Sequence, residues 1–151
     1  MMQFNRDITA TVYVLYEDRV LLHIHKKYNL WFPPGGHVEP DEFPHQSAVR
    51  EVFEETGLKV RLASTEAAPY IALGSVERIP APFCTMREGI GSDREFYDFI
   101  FVAFADTDKV SPPADESKIF RWFSKQDLQD NTVIPHIRNT ALSILDRFKT
   151  K

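Results

Sequence analysis

The sequence predicts a mixed α+β domain in which helices pack around a sheet. Strand-like runs open the chain, a helical repeat of apolar residues lies near residue 50, and a second helical repeat ends the chain. The chain has 151 residues, of which 43% are hydrophobic, a size that suits one core. We therefore expect residues 1–151 to form a single domain.

The first two elements are predicted to be a β-hairpin. Ile8 to Tyr16 and Val20 to Ile24 are rich in β-branched, aromatic and aliphatic residues, and the polar triplet Glu17-Asp18-Arg19 separates them. The stretch from Lys26 to Pro40 contains prolines and paired glycines, which exclude a helix and predict a fixed loop.

An amphipathic helix is predicted from Glu42, with Gly57 as its C-terminal stop. Its apolar residues at helical spacing are Ala48, Val49, Val52, Phe53 and Thr56.

The second half of the chain predicts further strands and a terminal helix. The expected elements are an extended stretch from Lys59 to Leu73 broken at Pro69, a long loop from Gly74 to Arg94, a buried strand from Glu95 to Ala105, a short strand from Ile119 to Phe123, a helical turn from Lys125 to Asp130, and a helix from Ile134 to Phe148. The long loop is expected to shape substrate choice, because long irregular segments are often functional.

Composition limits the function classes. Eighteen basic and 22 acidic residues give a net charge of -4, the wrong sign for binding a nucleic-acid polymer through its phosphates. Cys84 is the only cysteine, so a disulfide-stapled scaffold is not expected. No run is long and apolar enough to cross a bilayer, and the start lacks a signal-peptide pattern. We expect a cytoplasmic protein without a membrane partner.

Three carboxylates should share one face of the central helix. On a helical wheel, Glu51, Glu54 and Glu55 occupy one sector, and the apolar set with Val52 and Phe53 lies opposite. Like charges at this spacing repel, and a hard divalent cation such as Mg²⁺ or Mn²⁺ would compensate them. The alternative is a solvated acidic face, which most charge runs on helices are.

The string from Gly35 to Leu58, GGHVEPDEFPHQSAVREVFEETGL, resembles the signature of the Nudix hydrolases. The matching positions are Gly36, Glu42, Arg50, Glu51, Glu54, Glu55 and Gly57, with Val52 and Leu58 at the two apolar positions.

This resemblance implies a fold, a reaction and a set of site residues. The fold is an α/β/α sandwich in which the signature forms a loop, a helix and a loop. The reaction is metal-dependent attack of water on a diphosphate linkage in a nucleoside diphosphate derivative or a related organic diphosphate. The metal ligands implied are Glu51, Glu54, Glu55 and the carbonyl of Gly35, and Glu42 and Arg50 would orient them. The predicted catalytic residues are Glu54, Glu51, Arg50 and the loop residue Glu116.

Other side chains are weaker candidates. Trp31 and Phe32 could flank a substrate base, with Phe83, Phe96 and Tyr97 as alternatives, although each also suits a core position. His23 and His25 share a strand face, but without a third ligand at suitable spacing they are interpreted as ordinary sheet histidines rather than a zinc site. His37 is unassigned.

Two alternatives to the hydrolase remain at this point. A Nudix-like module could sense a nucleotide without turning it over, because a fold does not fix a function. An isoprenoid diphosphate isomerase would need a catalytic cysteine and a histidine-rich metal site, a pattern that Cys84 does not fit. The sequence does not determine the substituent on the diphosphate or the oligomeric state, a homodimer included.

Overall fold

The computed structural model of the chain describes residues 5–63, 74–114 and 119–149. The described elements are the strands β1 (Asn5–Tyr16), β2 (Arg19–Ile24), β3 (Trp31–Phe32), β4 (Gly35–His37), β5 (Val60–Leu62), β6 (Cys84–Ile90), β7 (Arg94–Ala105) and β8 (Phe120–Phe123), the helices α1 (Pro44–Thr56) and α2 (Pro135–Arg147), and a 3-10 turn at Asp127–Gln129.

A long parallel pair, β1 and β7, forms the centre of a mixed sheet. The pair runs in register from Asn5 opposite Arg94 to Leu15 opposite Phe104. The order along the main path of the sheet is β3-β2-β1-β7-β5, while β4 pairs with β1, β6 with β7 and β8 with β2. The other strands thus surround β1 and β7.

The hairpin of β1 and β2 is confirmed. Tyr16 pairs with Arg19 across a tight turn, and Glu17 adopts a φ of 52° in that turn. The apolar sequence continues on both sides of the turn, so the second half of β1 and the middle of β2 are buried.

Alternation along β1 divides the core between two helices. Ala10, Val12 and Val14 point to the face that α1 covers through Ala48 and Val52. On the opposite face of the sheet, side chains of β1 and β7 pack against α2. These side chains are Tyr13, Leu15, Ile100 and Val102 of the strands and Ile137, Ala141 and Ile144 of the helix. The predicted α+β sandwich, with one helix on each face of a mixed sheet, is confirmed.

The segment from Gly74 to Arg94 is not one long loop. Residues 84–90 form β6, which pairs antiparallel with β7 from Cys84 opposite Ile100 to Ile90 opposite Arg94. The neighbouring prolines and glycines concealed the strand, because its partner lies in a distant part of the sequence. Similarly, the predicted loop from Lys26 to Pro40 contains the short strands β3 and β4.

The other predictions agree with the structure where it describes the chain. The strands β7 and β8, the 3-10 turn and α2 all occur close to their expected positions. The extended stretch predicted from Lys59 begins as β5, and its part at 64–73 lies outside the described residues. No helix in the described ranges combines the length and hydrophobicity that a membrane span requires.

Candidate active site

Local backbone chemistry fixes both ends of α1. At its start, the Phe43 N–H donates to the Gln46 side-chain oxygen over 2.8 Å. At its end, Gly57 adopts a φ of 72°, and a side chain there would meet the Ser111 carbonyl oxygen at 2.2 Å. Glycine is required at this helix stop for both reasons.

The three glutamates of α1 span a gradient from core to solvent. Glu55 is buried at 6% exposure, the Glu51 side chain is 16% exposed, and the Glu54 side chain is 56% exposed. The helical wheel is correct in placing them on neighbouring positions, but Glu55 faces inward beside Val52 instead of lying on a solvated face. A buried carboxylate without a structural reason is costly, which favours a functional role for Glu55.

The predicted apolar face of α1 is partly wrong. Phe53 is 51% exposed and Val49 is 37% exposed, so neither belongs to the core. The residues of α1 that the sheet buries are Ser47, Ala48, Val52, Glu55 and Thr56. The core-facing stripe is therefore rotated toward Glu55 relative to the prediction.

Arg50 links the carboxylates around the start of α1. Its guanidinium donates to both oxygens of Glu42, with the Nε bond to Oε2 at 3.0 Å. Its Nη1 donates to Glu51 at 2.9 Å and to Glu54 at 3.0 Å. Its Nη2 also donates to the His37 carbonyl at 3.1 Å. One planar cation thus sets the orientation of three carboxylates.

These contacts and burial change the pKa values of the carboxyl groups in opposite directions. The hydrogen bonds from Arg50 lower the pKa of Glu42 to about 2. Burial raises the pKa of Glu51, and Arg50 opposes that change only in part. Glu42 therefore serves as a permanent anion for Arg50, while Glu51, whose pKa is raised, gains from additional positive charge.

The paired glycines lie against α1 and β1 for different reasons. A side chain at Gly36 would collide with the Glu51 carboxylate, whose Oε1 lies 2.4 Å from the position of an added Cβ. A side chain at Gly35 would meet the Ala10 carbonyl oxygen at 2.4 Å. The Gly35 N–H donates to Glu55 over 3.2 Å. This close approach brings the β4 backbone beside two of the predicted ligands.

The donor set fits a hard divalent cation in its chemistry. Glu51, Glu54 and Glu55 provide carboxylate oxygens, and the backbone of Gly35 lies beside them. Within residues 5–63, 74–114 and 119–149, no three histidine, cysteine or acidic side chains are gathered in an arrangement that could hold a metal ion. Ion pairs with Arg50 turn Glu51 and Glu54 toward the guanidinium instead. Glu116 lies outside the described residues.

A cleft of about 350 Å³ extends from these residues across the sheet. Its lining includes Gly35, Gly36 and Glu55 together with Asp98 of β7 and Glu88 of β6. Asp98 lies across β1 from β4, because Thr9 pairs with both His37 and Asp98. A smaller hollow beside α2 shares Asp98 and Glu88 and continues to His136. The volume lies within the range of small-molecule sites.

Asp98 forms a buried acidic floor in this cleft. It is 5% exposed, and its two oxygens accept hydrogen bonds from Thr9 at 3.0 Å and Thr11 at 2.8 Å. Burial raises the pKa of Asp98, and burial together with the charge of Asp98 raises the pKa of Glu88. Sequence reasoning missed both residues, since Asp98 lies inside an apolar strand and Glu88 inside the segment interpreted as a loop. The interruption of an apolar run by one aspartate was the available signal.

Only some of the predicted aromatic residues reach the cleft. Phe32 and Phe96 line it. Trp31 packs edge-on against Phe123 at a centroid distance of 4.9 Å, and Phe83 packs against Phe148 at the α2 side of the core. Tyr97 is 43% exposed and alternates to the opposite face of β7 from Phe96.

Three histidines, His23, His25 and His37, line the cleft as well. His23 is buried, and its Nε2 is 3.4 Å from Glu55 Oε2. His25 stacks near Tyr28, with ring centroids 4.9 Å apart. His37 lines the cleft and lies edge-on to Phe96. Thus His23 contacts a predicted ligand, a link that the sequence did not reveal.

A second, larger hollow of about 650 Å³ lies on the outer side of α1. Its lining includes Val49, Phe53, Val60 and Leu62, and it contains none of the three glutamates. His45, Gln46, Arg50 and Lys59 also line this hollow, but none of its described lining residues is acidic. The smaller cleft beside Glu55 is therefore the better candidate for the substrate.

Comparison with known proteins identifies the origin of this arrangement. A family model described as NUDIX domain matches residues 5–143. The structure of a hydrolase of the NUDIX family from Clostridium perfringens superposes with a TM-score of 0.82 at 30% identity, covering 95% of this chain and 99% of that one. An Ap4A hydrolase from C. elegans has a similar fold, with a TM-score of 0.67 at 17% identity, covering 95% of this chain and 98% of that one.

Curated relatives match over a shorter region. The diphosphoinositol polyphosphate phosphohydrolase 3-beta of Bos taurus is 53% identical over 47 residues, which are 30% of this chain and 29% of that protein. The human diphosphoinositol polyphosphate phosphohydrolase 2 is 51% identical over 47 residues, again 30% of this chain and 26% of that protein. The matches thus span under a third of the length of these relatives.

Proposed function

Since the chain belongs to the Nudix hydrolase family, we propose that it is a pyrophosphohydrolase that cleaves a diphosphate linkage in a nucleoside diphosphate derivative with Mg²⁺ or Mn²⁺. The observation that carries this proposal is the complete acidic set of the signature on α1, Glu51, Glu54 and Glu55, with Glu55 buried against a substrate-sized cleft. We also propose that residues 1–151 form one domain.

The residues that would hold the cation are Glu51, Glu54, Glu55 and the carbonyl of Gly35. When bound, the cation would lower the pKa of a water molecule and neutralise charge that develops on phosphate oxygens. Oxygen ligands without thiolates favour magnesium or manganese over softer metals.

The side chains around the ligands would keep them in position. Arg50 is anchored by Glu42 and by the His37 carbonyl, so it can release Glu51 and Glu54 without leaving its place. Gly36 leaves the space that the Glu51 carboxylate occupies. Gly35 holds Glu55 through its N–H. Each of these groups acts on a ligand and not on the substrate.

We propose Glu116 as the residue that accepts a proton from the attacking water. In the sequence it precedes β8, and many Nudix enzymes bring an acidic residue from the corresponding region to the metal or substrate. Exchange of Glu116 for glutamine should lower turnover with little change in melting temperature, as measured by kinetics and thermal melts on the same preparations. An unchanged rate across pH would instead assign Glu116 to solvated surface.

A panel of diphosphate substrates assayed with magnesium tests the activity. It should contain nucleoside triphosphates, nucleotide sugars, dinucleoside polyphosphates and diphosphoinositol polyphosphates, and released phosphate or nucleoside monophosphate should be measured. We expect hydrolysis of at least one class, and its loss after chelation of the metal. Full activity after exhaustive chelation would contradict the proposed metal dependence.

A nucleotide-sensing module is the second candidate. Its support is that Arg50 pairs with both Glu51 and Glu54 in the described structure, so the ligands are not yet gathered. A sensor would bind a nucleotide from the panel with unchanged affinity after Glu54→Gln and would turn over none of them.

A further inference from the structure

The charge of the cleft distinguishes between classes of substrate. No arginine or lysine occurs among the described residues that line the cleft or the hollow that continues it. The described basic groups there are histidines, and the acidic groups Asp98 and Glu88 lie on β7 and β6, across β1 from the glycines of β4. A substituent that carries several phosphates would find no strong cation in this space.

Asp98 and Glu88 differ from the other acidic side chains of the sheet. Arg6 and Arg87 bind Glu95, and Arg94 binds Asp7 at 2.6 Å. Among the described residues, neither Asp98 nor Glu88 forms an ion pair with arginine or lysine, and the hydrogen bonds of Asp98 come from neutral threonine hydroxyls. Each carboxylate therefore keeps oxygen lone pairs that can accept further hydrogen bonds.

Their position in the sheet makes these oxygens available to a bound molecule. Met86 pairs with Asp98 across β6 and β7, and Glu88 lies two residues farther along β6 on the same face. That face is the one that α2 covers at Ile137, but the helix ends its coverage near His136. The two carboxylates occupy the uncovered remainder of the sheet, beside the rings of Phe32 and Phe96.

On the basis of the proposed function, we propose that Asp98 and Glu88 make this enzyme selective for a nucleobase whose edge carries N–H donors. The same two carboxylates exclude substituents that carry several phosphates. Aromatic walls suit a planar ring, and carboxylates accept hydrogen bonds from amino and ring N–H groups. The selectivity is thus distinct from that named in the diphosphoinositol polyphosphate phosphohydrolases, whose matched region is limited to 47 residues.

Matched substrate pairs test this selectivity. The pairs are guanosine and inosine triphosphates, adenosine and purine riboside triphosphates, and cytidine and uridine triphosphates, with a diphosphoinositol polyphosphate as the polyanion. In at least one pair we expect the member with the additional amino group to have a kcat/KM about tenfold or more higher, mainly through KM. The polyanion should be the poorest substrate of the panel.

Two isosteric variants and one control assign the effect to the carboxylates. Glu88→Gln and Asp98→Asn each place an amide donor in the cleft. In the substrate pair that the wild type distinguishes, the ratio of the two kcat/KM values should therefore fall about tenfold or more. Glu17→Gln removes a carboxylate at the β1–β2 turn, far from the cleft, and should keep the preference. Thermal melts identify any variant that does not fold, and the half-buried Glu88 on β6 is the safer site if Asp98→Asn unfolds.

The same pairs should also be compared by dissociation constant in the presence of magnesium, so that the inference is tested even without turnover. It is overturned if the polyanion has a higher kcat/KM than every nucleotide, or if both folded variants keep the wild-type ratios within the pairs. A panel without any turnover but with the expected binding ratios would contradict the proposed hydrolysis and leave the selectivity supported.

Discussion

Glu42 shows how one residue supports a site without contacting substrate. It binds Arg50 through both oxygens, and Arg50 in turn holds Glu51 and Glu54. Removing the Glu42 charge should therefore loosen the whole start of α1. Glu42 acts through its ion pair with Arg50. Because that ion pair requires an ionised carboxylate, the effect of Glu42 should depend on pH.

Glu42→Gln should lower stability at neutral pH by about 1–2 kcal/mol. Because the folded pKa of Glu42 is lowered to about 2 from an ordinary value of 4.5, its stabilising effect is fully present above pH 4.5 and is lost as the pH falls toward 2. Denaturant unfolding of wild type and variant between pH 7 and pH 2.5 measures this. The difference should stay constant from pH 7 to about pH 4.5 and shrink below that pH, and a difference that stays constant down to pH 2.5 would refute the role of the Glu42 charge.

Neighbouring glycines provide a second contrast between residues. Gly36→Ala places a methyl group against the flexible end of Glu51, so stability should change by about 1 kcal/mol or less. The displaced carboxylate should lower metal affinity or kcat/KM about 10–100-fold. Titration of activity with Mg²⁺ and a thermal melt measure the two effects.

Gly35→Ala should have the opposite profile. The added methyl group would meet the Ala10 and Thr11 backbone, which cannot move without disturbing the pairing of β4 with β1. We expect a loss of about 2 kcal/mol or more in unfolding free energy. Equal stability of Gly35→Ala and Gly36→Ala would contradict the close packing of β4 on β1.

At the scale of elements, the hydrophobic pattern predicted α1 but not its exact rotation. Ala48 and Val52 do face the sheet, whereas Val49 and Phe53 face solvent and Glu55 faces inward. Periodicity identifies an apolar stripe by chemistry alone. It cannot anticipate that a buried carboxylate occupies part of that stripe, because the partners of Glu55 at Gly35 and His23 come from other strands.

The orientation of α1 predicts which of its apolar side chains contributes more to stability. Val52→Ala removes two buried methyl groups and leaves a cavity between α1 and the sheet, at a cost of about 2 kcal/mol. Phe53→Ala removes a larger side chain that is half exposed, and should cost about 1 kcal/mol or less. Denaturant unfolding of both variants measures the difference. A larger loss for Phe53→Ala would restore the helix orientation that the sequence alone predicts.

β6 is the element that sequence reasoning could not find. Its seven residues, CTMREGI, contain few strand-forming side chains, and prolines and glycines lie close to both ends. Pairing with β7 supplies the missing stabilisation, and that pairing depends on a long-range contact. Asp98 and Glu88 were missed for the same reason, since only the pairing brings them to one face.

At the scale of the molecule, the sandwich separates the roles of its two layers. One helix, α1, covers one face of the sheet and carries the proposed ligands, while α2 covers part of the other face. The cleft occupies the remaining part of that second face and reaches Glu55 at the β4 edge. The signature could be recognised from the sequence because its residues lie within 24 consecutive positions. The cleft could not, because it is lined by residues of α1 and of the strands β1, β2, β3, β4, β6 and β7.

The most direct test of the account is the turnover of a hydrolysed panel substrate as a function of free Mg²⁺, in wild type and in Glu54→Gln. Glutamine keeps the size and helix propensity of Glu54 and removes only a surface ion pair with Arg50, so the fold should be retained. If Glu54 holds the catalytic cation, wild-type turnover should rise from zero to saturation with Mg²⁺, and the variant should be slower by about two orders of magnitude or more at saturation. A Glu54→Gln protein with wild-type turnover at every Mg²⁺ concentration would contradict the assignment of the metal site to α1.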